Sequence, residues 1–220
     1  MKTILVLGFH RGGTSLVANV IHKMGVQLWT RPEQEMKAFD HNRKGYYENW
    51  DFVHLNDIIL KEAGGDWMNP PSRAAIWKAG LTYNANIKRL VRENMTTSMW
   101  GWKDPRTCLT CHLYAPYLEN LHVIIPVRNV EANFQSFYRT RLSSVAEDVA
   151  RKHFHQLRIR YLNDAYRLAQ NYPNKFIKFE NLFVSPQLPI FRIMEFLEIK
   201  PTDEMVAKIE AEITPGIRNF

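Results

Sequence analysis

Two cysteines in 220 residues, Cys108 and Cys111, are too few for a disulfide-built scaffold. With no leader of secretory type, they point to a reducing, cytoplasmic setting. Met1-Lys2-Thr3-Ile4-Leu5-Val6-Leu7 has a short apolar run but no small-residue cleavage site, so it reads as a first strand. No stretch reaches the roughly 18 apolar residues of a membrane span. No run of five or so basic residues occurs, which argues against nucleic acid as the partner. No histidine, cysteine or carboxylate set has metal-ligand spacing, so no metal is expected. Repeats, linkers and low-complexity segments are also missing, which predicts a single domain over residues 1–220. Cys108-Leu109-Thr110-Cys111-His112 matches a haem-attachment pattern. Without an export signal it reads instead as two semi-buried thiols on a helix.

What is present is positive charge and a loop suited to an anion. Formal net charge is +7, with a pI near 9.4, and this excess favours anionic ligands. The apolar run Ile4 to Leu7 leads into Gly8-Phe9-His10-Arg11-Gly12-Gly13-Thr14-Ser15, and an apolar-periodic segment follows from Leu16. Strand, Gly-rich loop and helix make a phosphate cradle: loop N–H groups and the helix N-terminus converge on one point. Gly8, Gly13 and Ser15 have the spacing of a Walker A loop, but Thr14 stands in the lysine position and the charge has moved to Arg11. A phosphoryl-transfer enzyme uses that lysine on the β- and γ-phosphates, so the variant points to a different ligand.

Alternating strands and helices predict an α/β fold with a central parallel sheet covered by helices on both faces. Strands are expected at Ile4 to Leu7, Met99 to Lys103, Leu121 to Val127 and Lys175 to Phe179. Helices are expected at Leu16 to Met24, Trp50 to Ala63, Lys78 to Met95, Val130 to Arg141 and Ser144 to Gln170, then near Pro189–Leu197 and Asp203–Glu212. Residues 26–48 read as a long functional loop. In such sheets ligands bind beyond the carboxyl ends of the strands. Those ends carry the Gly-rich loop, Lys103-Asp104-Pro105-Arg106, and Arg128 with Ser136 about two turns later. Two anion sites suggest a ligand phosphorylated at two separated places.

These motifs, in this order and joined by Phe179-Glu180-Asn181-Leu182, resemble the sulfotransferases that use 3′-phosphoadenosine 5′-phosphosulfate (PAPS). The match runs from residue 4 to about residue 183 and implies a P-loop-like sulfotransferase architecture. It implies that the Gly-rich loop, with Arg11, Gly12, Gly13, Thr14 and Ser15, holds the 5′-phosphosulfate, and that Arg128 and Ser136 hold the 3′-phosphate; His10, inside the cradle, reads either as a ligand contact or as a packing residue. Val130 departs from the proline often found there, and Arg11 replaces the lysine of many cytosolic members. The late Pro215-Gly216-Ile217-Arg218 resembles a segment that folds over the nucleotide, which adds Arg218 to the candidates.

The implied reaction is in-line transfer of a sulfuryl group to a hydroxyl or amine of a small-molecule or glycan acceptor. Lys103 and Arg11 are the candidate cations for charge on the leaving bisphosphate. Glu48, in Gly45-Tyr46-Tyr47-Glu48, is the candidate general base. The same carboxylate also suits the start of a helix at Asn49 for dipole reasons, and both readings stand. His41 is the alternative base. Arg106 reads as a structural ion-pair partner, Glu180 as a turn former, and Trp50 or Trp67 as a wall of the acceptor pocket. Two other functions remain open: a P-loop kinase or hydrolase, and a nucleotide-binding module without activity.

Overall fold

The computed structural model describes residues 1–36 and 45–213. His41 and Arg218 lie outside the described residues. Four parallel strands make one sheet: β1 (Lys2–Val6), β2 (Met99–Lys103), β3 (Leu121–Val127) and β4 (Asn174–Lys178), in the order β2-β1-β3-β4. Side chains alternate across each strand, and in β1, β2 and β3 both sets are mostly buried, whereas edge strand β4 buries only Ile177. Leu5, Leu7, Trp100, Trp102, Val123 and Ile125 enter one core; Ile4, Val6, Ile124 and Ile177 enter the other. A sheet buried on both faces needs helices on both.

Helices α1 (Thr14–Lys23), α8 (Asn181–Val184), α9 (Gln187–Leu197) and α10 (Asp203–Glu212) cover the second face. Helices α2 (Trp50–Glu62), α3 (Arg73–Thr82), α4 (Asn84–Asn94), α5 (Thr107–Tyr114), α6 (Val130–Phe137) and α7 (Glu147–Ala169) cover the first. The strands adjacent at the centre, β1 and β3, therefore send their chains to opposite faces, β1 into α1 and β3 into α6. Diverging connections open a crevice at the carboxyl ends of those two strands, where open α/β sheets bind ligands. No helix of the described residues is long and apolar enough to cross a membrane.

The expected helix from Lys78 to Met95 is two helices. It starts earlier, at Arg73, because Ser72 accepts a hydrogen bond from the N–H of Ala75 at 3.2 Å. It breaks at Tyr83, amid the weak helix formers Thr82, Tyr83 and Asn84. The break lets Ile76 and Ala79 of α3 and Ile87, Leu90 and Val91 of α4 reach the same core. The described parts of the long loop after α1, residues 26–36 and 45–48, make regular contacts despite their polar composition. Gln27 bridges to Trp100 beside β2, Pro32–Gln34 forms one 3-10 turn, and Glu35 bridges to Asn49.

A buried polar cluster ties α2 to the end of β2. Asn56 is fully buried and donates from Nδ2 to Asp104 Oδ2 (2.8 Å) and Thr107 Oγ1 (3.1 Å). Its Oδ1 accepts from Thr110 Oγ1 (2.7 Å) and the Tyr114 hydroxyl (2.9 Å). Phe52, one turn earlier on α2, lies flat on Trp102 with centroids 4.0 Å apart, a contact worth about 1 kcal/mol beyond its buried area. All four hydrogen-bonding positions of the Asn56 amide are filled, so removing it leaves buried Asp104 Oδ2 and the buried Tyr114 hydroxyl without that partner, although Arg106 still holds Asp104 Oδ1. Asn56→Ala is expected to lower the unfolding free energy by about 2–4 kcal/mol in urea titrations. A loss below about 1 kcal/mol would mean the cluster contributes little.

Candidate functional site

The cradle is built by backbone geometry. Val6, the last residue of β1, is in register with Lys103 on one side and Ile124 on the other. The loop from Gly8 therefore leaves the sheet beside the ends of β2 and β3. Arg11 takes a left-handed φ of 59° and Gly13 one of 92°. At Gly13 a Cβ would sit 2.1 Å from Phe179 Cδ2, so both the conformation and the close approach of Phe179 require glycine. Helix α1 then starts at Thr14 with no side-chain cap and no acidic residue in its first turn. Its N-terminal N–H groups and dipole favour an anion.

Across the cradle lies a buried ion pair. Lys103, only 1% exposed, donates from Nζ to Glu48 Oε1 at 2.5 Å and to Ser15 Oγ at 3.1 Å. Glu48 is held from behind. Met36 N–H donates to its carbonyl at 3.0 Å. Asn49 accepts from the N–H of Asp51 at 3.1 Å, which caps α2, and donates to Leu28 O and Asn94 Oδ1. Burial raises the Glu48 carboxyl above its ordinary range, nearby Asp104 adds to this, and Lys103 opposes it. Arg106 stands alongside, with Nη1 2.8 Å from Asp104 Oδ1 and 3.8 Å from Glu48 Oε2, and Nε 2.7 Å from Asp57 Oδ1. Burial alone would lower the Arg106 guanidinium, but Asp104, Glu48 and Asp57 outweigh it and leave it raised.

His10, Arg11, Gly13, Thr14, Ser15, Glu48 and Lys103 all line one cavity of about 310 Å³, a size typical of small-molecule sites. Gly12 and Arg128 line a small neighbouring depression beside Asn133. Ser136 is buried and accepts from Arg11 Nε at 2.9 Å. Arg128 donates from Nη1 to the carbonyl of Arg11 at 2.9 Å, with its guanidinium 4.8 Å from the Phe179 ring centroid. The two expected anion centres are thus joined through Arg11: its side chain reaches Ser136 and its backbone meets Arg128. Burial, then repulsion from Arg128 and Arg141, pulls Arg11 down to about 10.

His10 is a third element. The Tyr161 hydroxyl donates its one proton to Trp67 O at 2.8 Å, so at 3.4 Å it can only accept from His10 Nε2. That places the proton of the neutral ring on Nε2 and leaves Nδ1 bare. Burial, then the charges of Arg106, Arg141, Lys103 and Arg11, push His10 well below 6.5.

The remaining sequence candidates separate cleanly. Trp67 lines the cavity, whereas Trp50 is 47% exposed and stacks on His54. Arg106 is ion-paired as expected and also lines the cavity. Glu180 Oε1 accepts from Asn129 N–H at 2.7 Å and orders the turn into α6. Cys108 and Cys111 are free, buried thiols, and the Gly8 N–H donates to Cys108 Sγ at 3.1 Å. Met36, Tyr46, Pro105, Thr140 and Arg141 also line the cavity. None had a sequence signal, though Pro105 and Tyr46 sit inside motifs that did.

No family model matches the chain, and no curated protein matches it. Solved structures do match. A sulfotransferase domain from the curacin biosynthetic pathway aligns with a TM-score of 0.58 and 16% identity, over 98% of this chain and 78% of that one. The sulfotransferase domain of the Synechococcus PCC 7002 olefin synthase aligns at 0.54 and 16%, over 99% and 82%. Sulfotransferase STF1 from Mycobacterium tuberculosis H37Rv aligns at 0.52 and 13%, over 99% and 73%. The likeness is one of fold: the chain has the fold of these sulfotransferases.

The Lys103–Glu48 pair makes a stability prediction. Lys103→Met leaves a buried carboxylate without its cation and is expected to cost about 3 kcal/mol at neutral pH. Adding Glu48→Gln should recover much of that. The single-variant penalty should also shrink on acidification. With its pKa raised in the native state, Glu48 binds a proton there that the unfolded chain lacks, so stability falls as pH rises above the ordinary carboxylate range. Urea titrations at pH 5 and pH 8 test this, and a penalty that does not change with pH would contradict it.

Proposed function

We propose that this protein is a sulfotransferase moving the sulfuryl group of PAPS to a hydroxyl, or an amine, of a small acceptor. One observation carries the reading. A single ammonium, Lys103 Nζ, contacts both the helix-start hydroxyl of Ser15 and the candidate base Glu48. Cradle, cation and base therefore share one cavity. The fold, common to several sulfotransferases, supports the reading.

The phosphosulfate would lie on the loop N–H groups and the α1 N-terminus, with Arg11 and Lys103 beside its oxygens. The acceptor O–H loses its proton to the Glu48 carboxylate while its oxygen forms a bond to sulfur. The bond from sulfur to the bridging phosphate oxygen breaks in line, and adenosine 3′,5′-bisphosphate leaves. Charge grows on that bridging oxygen, where a preorganised cation in a buried site acts strongly. The raised pKa of Glu48 makes it a better proton acceptor than a solvated carboxylate, and general-base catalysis of this kind supplies about 10²–10⁴ in rate. Arg128 and Ser136, both tied to Arg11, would receive the 3′-phosphate.

Thermal stability with adenosine 3′,5′-bisphosphate or Mg·ATP separates this reading from its rivals. At 100 times its Kd, a ligand binding only the native state adds about 2.7 kcal/mol. The bisphosphate is expected to stabilise the wild type by that order, and Arg128→Ala to lose most of the effect. Glu48→Gln should keep it, because the base does not hold the nucleotide. Stabilisation by Mg·ATP and not by the bisphosphate would redirect the assignment to phosphoryl transfer.

A further inference from the structure

Trp67 and Arg141, with His10 of the loop, line one part of the cavity together. The Trp67 and His10 rings lie 4.6 Å apart at 43°, and the Arg141 guanidinium is 5.6 Å from the Trp67 centroid. Helix α6 does not simply continue to Arg141. Residues Tyr138–Leu142 take a wider π turn. The Thr140 hydroxyl holds that turn by donating to Ser136 O at 2.9 Å, and the Tyr138 hydroxyl does so by donating to Val145 O at 3.0 Å. Such insertions re-aim side chains and recur at functional sites. Here the turn brings Thr140 and Arg141 to the cavity.

The cations lining the cavity differ in their balance. Lys103 has Glu48, and Arg106 has Asp104, Asp57 and Glu48. Among the described residues, no carboxylate lies within ion-pair distance of Arg141, and its guanidinium lies over the Trp67 indole. Its field reaches inward, since it is among the charges that depress His10 and Arg11. A flat indole beside an unneutralised guanidinium suits a ligand with a ring face and an acid group.

Building on the sulfotransferase reading, we infer that Arg141 is a specificity residue for an acidic acceptor. The acceptor is a ring-bearing alcohol or phenol with a carboxylate or similar acid group. Its ring lies on Trp67, its acid group on Arg141, and its hydroxyl faces Glu48.

The test uses matched probes that differ in charge: 4-hydroxyphenylacetate against 4-hydroxyphenethyl alcohol, and 4-nitrophenyl β-D-glucuronide against the glucoside. Thermal shifts are read in saturating adenosine 3′,5′-bisphosphate for the wild type, Arg141→Gln and Arg141→Lys. In at least one pair the acidic member should bind the wild type about tenfold or more tighter, the range of a charge-assisted hydrogen bond. Arg141→Gln should abolish that preference, Arg141→Lys should retain part of it, and the shift from the bisphosphate itself should stay unchanged in both variants. The inference is overturned if neither pair favours the acid, if the preference survives Arg141→Gln, or if Arg141→Gln weakens the bisphosphate equally, which would give Arg141 to the nucleotide. These failures leave bisphosphate binding by the wild type intact. Absence of that binding defeats the sulfotransferase reading, and this inference with it.

Discussion

The interaction on which the rest depends is the buried pair between Lys103 and Glu48. Neither charge survives there alone. An isolated buried ion costs several kcal/mol even after relaxation, so each must have the other and a frame that holds it still. The frame is visible residue by residue. Lys103 ends β2, in register with the last residue of β1. Glu48 is fixed by Met36, by the Asn49 cap and by the start of α2. Arg106, locked onto Asp104 and Asp57, stands behind the carboxylate. Asp104 in turn relies on Asn56. Loosening any of these loosens the pair, which is why a polar network of such size is tolerated between two apolar cores.

The sheet explains why the network sits where it does. The three strands β1, β2 and β3, buried on both faces, have almost no polar outlet along their length, so charge collects at their ends. Because β1 and β3 are neighbours whose following helices leave to opposite faces, the space at their carboxyl ends cannot be filled by either connection. The Gly-rich loop borders that space, Arg128 approaches from β3, and Lys103 approaches from β2. A crevice bordered by the cradle and two strand-end cations follows from the topology before any other side chain is considered.

Periodicity and turn chemistry made much of this legible in the sequence. Strands β2 and β3 stand out because short apolar runs end on Lys103 and Arg128, and β1 because it empties into glycines. Glu48 was legible as a carboxylate before a helix, but its pairing with Lys103, 55 positions away, was not, since nothing local encodes it. Asn56 reads in the sequence as an ordinary polar residue of a helix, and only the packing of α2 on α5 turns it into a buried hub. The break at Tyr83 was hidden because α3 and α4 share one apolar face. Arg141 was hidden for a different reason: Tyr138-Arg139-Thr140-Arg141 is compatible with a continuing α-helix, and a π turn has no composition of its own. The small-residue and charge motifs thus exposed the cradle, while the placement of Thr140 and Arg141 in the cavity depends on backbone detail that periodicity averages away.

The site is built at some cost to the fold, and that cost bears on its chemistry. Arg11 adopts a left-handed backbone that a non-glycine residue disfavours by about 1–3 kcal/mol. It is also buried among other cations, which pull its guanidinium down to about 10. His10 beside it stays neutral under the same field, so the cavity does not gain a further charge there as the solution becomes mildly acidic. A protein selected only for stability would trade these repulsions for a carboxylate within the cradle, yet the first turn of α1 holds none. On the sulfotransferase reading proposed above, the phosphosulfate would add its counter-charge at this helix start. Under that reading, a ligand with two anionic ends would gain twice, once at the α1 N-terminus and once near Arg128. A singly charged ligand gains at only one, so the same arrangement that weakens the fold sharpens its choice of partner.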